Sequence, residues 1–167
     1  MKYFIYTPFL LENGGGYDVV QRQLSRRISQ FVSLQICAPK KMRLSEEESQ
    51  NFFESFVKKT ESDLVIAFDE RGESLDSVGF SKILWHEELV GSKAVHFCIG
   101  GAYGLPAALG KVKRLRTVAL SAMTYCHELA FVNVLEQIYR ARTIVSGHPY
   151  HHAGASDLMK ALVKVPR

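Results

Sequence analysis

The sequence has no long hydrophobic run and only three cysteines, and each shortage excludes a class of protein. No stretch approaches the roughly 20 consecutive apolar residues that a membrane-spanning helix needs, so we predict no membrane association. Cys37, Cys98 and Cys126 have no paired spacing, which argues against a disulfide framework. Free thiols are typical of a reducing compartment, and we predict a cytoplasmic protein. Residues 1–11 lack a small-residue cleavage pattern, and we interpret them as a first strand rather than a signal peptide.

Several catalytic signatures are also missing. The glycine-rich segment that follows residue 99 is neither a GxGxxG dinucleotide fingerprint nor a P-loop, because no Lys-Ser/Thr pair comes after it. No serine or cysteine stands in a nucleophile-elbow motif. His148, His151 and His152 have no cysteine nearby in the sequence, so we predict no metal centre. These absences argue against that type of dinucleotide fold, a nucleophilic triad and metal chemistry.

Basic residues outnumber acidic ones, and their placement is more informative than their total. The formal net charge is +4, which on its own is weak support for an anionic partner. Four cations lie within residues 111–116, and three arginines lie within residues 22–27. Both clusters are consistent with a solvated surface and with contacts to RNA phosphates, and the sequence does not decide between them.

Hydrophobic patterning alternates between strand-like runs and amphipathic helical stretches. Runs such as residues 63–68 are continuously apolar, as expected of strands buried on both faces of a parallel sheet. Ser45 followed by Glu48 is a capping box that opens a helix. The pattern predicts an α/β domain with a mostly parallel sheet. The predicted strands are residues 2–6, 32–38, 63–68, 94–99 and 117–120, the predicted helices are residues 17–31, 45–57, 76–89 and 127–142, and residues 69–75 are predicted to be a polar loop.

The last predicted helix, residues 127–142, is apolar nearly all the way round. A helix of this kind is buried on more than one side. In a chain of this size the second burying surface is either one large core or another subunit, and we predict a homodimer in which this helix contributes to the interface.

Three segments in the second half of the chain converge on one predicted site. Residues 97–104 run from an apolar strand into a glycine-rich turn, residues 119–124 end another strand in small and polar side chains, and residues 136–152 combine a helix with a His- and Tyr-rich tail. Parallel sheets bind ligands at the carboxyl ends of their strands, and glycines allow the backbone to approach a ligand closely. The pattern indicates a pocket suited to a nucleoside-like ligand, although a plain strand-loop-helix corner is also consistent with it.

Together these segments closely resemble the RlmH family, which are SPOUT-class methyltransferases acting on a pseudouridine of large-subunit ribosomal RNA. The resemblance covers residues 68–152, and its most specific part is the block from residue 136 to residue 151. It implies an α/β-knot fold with a C-terminal trefoil knot, a homodimer, S-adenosyl-L-methionine as cofactor and methylation at N3 of the pseudouridine in the assembled ribosome. On this basis residues 1–152 are predicted to be one domain and residues 153–167 a C-terminal extension.

The resemblance also implies the site residues. Arg140 is expected to bind phosphate or a base edge, and Tyr150 and His151 to hold the base or relay its proton. The cofactor contacts carried over by motif position are Phe68, Gly100, Gly101, Ser121, Ala122, Met123, Thr124, Tyr125 and Cys126.

The chain departs from the family pattern in the cofactor loop and near the tail. Tyr125 and Cys126 stand where the family usually has leucine and proline, and Arg142 stands where it usually has tryptophan. These departures keep two alternatives open. One is a SPOUT methyltransferase that acts on another RNA, such as a transfer RNA, and the other is an RNA-binding protein of the same fold without catalysis.

Overall fold

The computed structural model describes residues 1–41, 44–58, 60 and 63–152. The predicted extension, residues 153–167, lies outside this range. Within it the chain forms five strands, four α-helices and two short 3₁₀ helices, Ala107–Lys111 and Pro149–His151. The strands are β1 (Lys2–Tyr6), β2 (Ser33–Cys37), β3 (Leu64–Ser74), β4 (Ala94–Ile99) and β5 (Leu115–Ala119). The helices are α1 (Gly16–Ile28), α2 (Glu46–Val57), α3 (Ser77–Leu89) and α4 (His127–Val145).

All five strands pair in parallel, in the order β2-β1-β4-β3-β5. The predicted α/β class with a parallel sheet is therefore confirmed. Because the strands run the same way, the carboxyl ends of β3, β4 and β5 meet at one edge of the sheet, which is where ligands bind in such folds. The trefoil knot implied by the resemblance stays a prediction.

Helices cover both faces of the sheet. On one face α1, α3 and α4 pack on alternate strand residues such as Tyr3 and Phe97, both fully buried. On the other face α2 inserts Phe53 and Phe56 against Val65 and its neighbours. The alternation follows from the two-residue period of strand side chains. Because both faces are covered by helices, the central strands are apolar on both sides.

The last helix is buried largely within its own chain. α4 lies against both α1 and α3, and its inward-facing side chains, including Leu135 and Ile138, are fully buried. Leu129 and Val132 are only partly covered. Much of the apolar surface that motivated the predicted dimer is thus covered inside one subunit, and the homodimer stays a prediction.

One predicted loop proves to be part of a strand. Residues 69–74 were expected to form a polar loop, but β3 continues through them to Ser74. Phe68 and Glu73 both align with Val118 of β5, so the strand bulges between them and then resumes its pairing. The prediction was wrong because backbone pairing beyond the core does not depend on apolar side chains, so polarity does not separate an exposed strand from a loop.

A close backbone contact explains where this bulge lies. A Cβ atom on Gly72 would stand 2.7 Å from backbone atoms of Thr117 and Val118. Only glycine permits the bulged segment of β3 to approach β5 this closely. The other element boundaries differ from the predicted ones by a few residues. α1 ends at Ile28 rather than residue 31, and α4 continues to Val145 rather than ending at residue 142.

The predicted capping box at the start of α2 is confirmed. The Ser45 hydroxyl accepts from the Glu48 backbone N–H at 3.2 Å, and the Glu48 carboxylate accepts from the Ser45 N–H at 3.0 Å. Replacing Ser45 by alanine leaves the Glu48 N–H without its partner, and we expect the free energy of unfolding to fall by about 1 kcal/mol. Urea denaturation measures the change. Ser55→Ala on the same helix is the control, and an equal loss in both variants would contradict the capping role.

Candidate functional site

A cavity of about 460 Å³ opens at the carboxyl ends of β3, β4 and β5. It is enclosed by the segment after β4, the segment between β5 and α4, and the bulge of β3. Eight of the nine residues predicted to contact the cofactor line it. They are Phe68, Gly100, Gly101, Ser121, Met123, Thr124, Tyr125 and Cys126. Ala122 lies in the same loop and is exposed, but it is not part of the lining.

The glycines after β4 are required by the turn itself. A Cβ on Gly100 would stand 2.7 Å from the Gly104 carbonyl carbon, and a Cβ on Gly101 would stand 2.8 Å from the ring of Pro8. Gly104 has φ of +71°, a left-handed conformation that side chains rarely adopt. The sequence assigned these glycines to close approach by a ligand. The structure adds that they let the chain fold back on itself and pack on Pro8.

The loop between β5 and α4 is held by its own side chains. The Ser121 hydroxyl accepts from the Met123 backbone N–H at 2.7 Å, which closes a tight turn. The Thr124 hydroxyl donates to the Glu70 carboxylate on the β3 bulge and so ties the two walls of the cavity together. Met123 is 74% exposed and stands at the mouth. The loop is thus shaped before any ligand binds.

Sequence reasoning missed the charged wall of the cavity, formed by Asp69, Glu70 and Arg71. The Arg71 guanidinium donates two hydrogen bonds to the Asp69 carboxylate, at 3.0 and 3.1 Å. Hydrogen bonds from the Arg71 side chain and backbone lower the pKa of the Asp69 carboxyl group, so it stays ionised. The signal was available, because these residues directly follow a buried strand of a parallel sheet.

The three predicted catalytic residues lie together, two of them bonded to one acidic side chain and the third beside Arg140. Glu136 accepts two hydrogen bonds from the Arg140 guanidinium, at 2.6 and 3.0 Å, and one from the Tyr150 hydroxyl at 3.0 Å. The guanidinium also stands over the Tyr150 ring at 4.8 Å. The Nδ1 atom of His151 lies 3.4 Å from the guanidinium. Burial, and then the bond to Glu136, raises the pKa of Tyr150, so its phenol stays neutral. We call these four residues the tail cluster.

The tail cluster and the cavity are separate within one chain. None of the four residues of the tail cluster lines the cavity. Ala130 is the last residue of α4 in the cavity wall, and Arg140 follows ten residues later on the same helix. At 1.5 Å per residue the two are about 15 Å apart along the helix axis. The predicted cofactor residues thus lie close to one another, and so do the predicted catalytic residues. The two groups, however, are far apart within one chain.

Two further properties concern the described part of the chain. Over residues 1–41, 44–58, 60 and 63–152, no helix is both long and apolar enough to cross a bilayer. Within the same ranges, no three His, Cys, Asp or Glu side chains gather as a metal site.

Comparison with known proteins identifies both similar sequences and similar folds. A family model described as a predicted SPOUT methyltransferase matches residues 14–151. A ribosomal RNA large subunit methyltransferase H from Rhodopseudomonas palustris is 46% identical over 92 residues, covering 54% of this chain and 56% of that protein, so the match spans just over half of its length. A protein of the same name from Porphyromonas gingivalis is 33% identical over 133 residues, covering 76% and 84%. The structure of a probable methylase family protein from Haemophilus influenzae superimposes on this chain with a TM-score of 0.51 and 11% sequence identity, over 89% of this chain and 69% of that one. At this identity the similarity supports the fold and nothing about the function.

Proposed function

Because the chain belongs to the SPOUT methyltransferase family, we propose that it transfers a methyl group from S-adenosyl-L-methionine to N3 of a pseudouridine in the large-subunit ribosomal RNA of the ribosome. The observation that carries this proposal is the cavity at the sheet edge, where two separate predicted loops meet. The names of the similar ribosomal RNA methyltransferases support the choice of substrate.

The cavity suits the cofactor in size and chemistry. A volume of about 460 Å³ lies in the range of sites for small molecules and cofactors. Phe68, Ile99 and Leu105 give it apolar walls for a purine ring. Asp69 offers an ionised carboxylate to ribose hydroxyls or to the cationic end of the ligand, and Arg71 offers a guanidinium to its carboxylate. These groups come from two segments, residues 68–71 and residues 99–105, which the fold brings to the same cavity.

The bound cofactor supplies an electrophilic methyl group carried on a sulfonium. Transfer breaks the S–C bond, with its electron pair left on sulfur, forms the N3–C bond and releases the N3 proton. Alignment of the two groups accounts for much of the rate. Arg140 is always protonated, Tyr150 stays neutral, and the Glu136 carboxylate already accepts hydrogen bonds from both, so we assign acceptance of the proton to the imidazole of His151.

A second copy of the chain would complete the site. Within one chain the tail cluster stands about 15 Å along α4 from the cofactor cavity, so its side chains do not reach a cofactor bound in the same subunit. Partly covered apolar residues of α4, Leu129 and Val132, leave room for an interface on this helix. We therefore propose a homodimer in which the tail cluster of each subunit serves the cavity of the other.

Calorimetric titration with S-adenosyl-L-methionine tests the cofactor site. Asp69→Ala is expected to weaken binding at least 10-fold, because a hydrogen bond to a charged group contributes about 1.5–3 kcal/mol. Glu73→Ala is the matched control, since Glu73 is also an acid of β3 paired with an arginine, Arg116, but lies outside the cavity. Gly101→Val is a poor test because its side chain would meet Pro8. Equal binding by both variants and the unmodified protein would place the cofactor elsewhere.

Methyl transfer to ribosomes, followed by mass spectrometry of the RNA, tests the reaction. The expected result is one added methyl group on a large-subunit pseudouridine. Cofactor binding together with methylation of transfer RNA, but not of ribosomal RNA, would show that the substrate is transfer RNA. RNA binding without cofactor binding would favour the non-catalytic alternative.

A further inference from the structure

A second cavity, of about 420 Å³, adjoins the first and is not used by the cofactor as proposed above. It lies between the start of α3, the end of β5 and the middle of α4. Phe68 and Tyr125 line both cavities and stand where the two meet. A ligand in the second cavity would therefore lie directly beside a ligand in the first.

The second cavity combines an apolar floor with a polar rim, in which one carboxylate, Asp76, already accepts from the Gly79 N–H as the cap of α3. Phe68 and Phe80 are nearly fully buried and form its floor. Ser77, Asn133 and Gln137 contribute a hydroxyl and two carboxamides to its rim. Flat aromatic surfaces with a few hydrogen-bonding groups at the edge are the features by which proteins hold an unstacked nucleobase.

The two carboxamides on the rim differ in how far they are already engaged. The Gln137 oxygen accepts from the Ser77 hydroxyl at 2.7 Å, and its amide nitrogen donates to the Glu136 carboxylate at 2.6 Å. Gln137 is thus held in place by both ends. The Asn133 side chain has no hydrogen bond with any described residue and is half-buried, so one donor and one acceptor stand ready for a ligand.

We infer that the second cavity receives the acceptor base and that Asn133 reads its edge, an inference that rests on the proposed function. A carboxamide pairs best with an N–H donor beside a C=O acceptor. Both bases share an N3–H edge, but N3 faces the methyl donor in the proposed reaction, so Asn133 has to pair elsewhere. Pseudouridine offers a second pair at N1–H and C2=O, whereas the N1 atom of uridine carries the ribose and has no hydrogen. Asn133 therefore favours pseudouridine over uridine, and Tyr125 provides a ring against which the base stacks next to the cofactor.

The test compares ribosomes that contain the target pseudouridine with ribosomes that have uridine in its place. The first come from a parent strain, and the second from a strain that lacks the corresponding pseudouridine synthase. Binding is measured by co-sedimentation in the presence of S-adenosylhomocysteine, and methyl transfer by mass spectrometry. The unmodified protein is expected to prefer pseudouridine ribosomes by about 10-fold, because a site built to hydrogen-bond a group rejects a substrate that lacks it. Asn133→Leu, of similar volume, is expected to lose this preference and to bind the cofactor within twofold of the unmodified protein.

Gln23→Leu on α1 is the control, since it removes an exposed carboxamide far from both cavities. A preference that persists unchanged in Asn133→Leu, or the absence of any preference in the unmodified protein, would overturn the inference. A third outcome separates the two proposals. If the unmodified protein prefers pseudouridine ribosomes in binding, Asn133→Leu loses that preference, and the unmodified protein transfers no methyl group, the base site would be supported and the proposed reaction rejected.

Discussion

Replacing Arg140 by alanine is expected to reduce methyl transfer at least 100-fold while the affinity for S-adenosyl-L-methionine changes less than about twofold. Removing one preorganised charged donor from a reacting centre typically costs this much in rate. Arg140 is fixed by two hydrogen bonds from its guanidinium to Glu136 and lies over the ring of Tyr150. Because it does not line the cavity, its loss should leave cofactor binding intact. Tyr150→Ala and His151→Ala should behave in the same way.

Arg22→Ala is the matched control for this experiment. Arg22 is also paired with an acid four residues away on its helix, Asp18 at 2.7 Å, but belongs to α1 rather than to the tail cluster. Rates from ribosome methylation and melting temperatures of the same samples separate a catalytic defect from unfolding. Full activity in Arg140→Ala, or a loss of stability large enough to account for its defect, would contradict the assigned role.

A mixed dimer then decides which subunit the tail cluster serves. One chain carries Arg140→Ala, and the other carries Asp69→Ala in the cavity. If each tail cluster serves the partner's cavity, one of the two sites is intact, and the purified mixed dimer recovers about half of the unmodified activity. If the cluster serves its own cavity, both sites are damaged and activity is not recovered. A stable monomer in sedimentation equilibrium at micromolar concentration would exclude the arrangement altogether.

The second large effect is expected at Gly72. Alanine there would place its Cβ 2.7 Å from three backbone atoms of Thr117 and Val118, which cannot move as a flexible side chain would. Relief of the clash has to separate the β3 bulge from β5, and we expect a loss of about 3 kcal/mol or more. For a chain of this length the melting temperature should fall by roughly 10 °C.

Gly110→Ala is the control for this substitution, because nothing lies within 4 Å of the position that its Cβ would occupy. Thermal unfolding followed by circular dichroism measures both variants. A melting temperature for Gly72→Ala within about 2 °C of that of Gly110→Ala would show that β3 and β5 tolerate separation at this point.

Much of the fold was predictable because it follows from continuous apolar runs. β4 is buried at all six positions. An uninterrupted apolar run of that length is typical of a strand that is covered on both faces. The capping residues of α2 were equally predictable. A serine followed three residues later by glutamate forms a capping box, in which each side chain accepts a hydrogen bond from the backbone N–H of the other residue. Such local rules act within a few residues, so the sequence alone is enough to apply them.

What could not be predicted depends on contacts between distant residues. The continuation of β3 beyond Phe68 is set by its pairing with β5, which lies more than 40 residues later. The role of Glu136 as the common acceptor for Arg140 and Tyr150 appears only once helix and tail are placed together. The motif indicated that these residues belong to one site. Geometry was needed to identify which side chain holds the others.

The position of β3 within the sheet has a consequence for how the chain is made. Its apolar segment pairs with β4 on one side and with β5 on the other, so one edge of the segment stays open until residue 119 has left the ribosome. Leu64 to Phe68 has no charge and no proline, the composition that favours pairing between separate chains. Fragments that stop before Leu115 would present this open edge to one another. One edge of β3 therefore stays open to aggregation until late in synthesis, through the interval between the appearance of β4 and the arrival of β5.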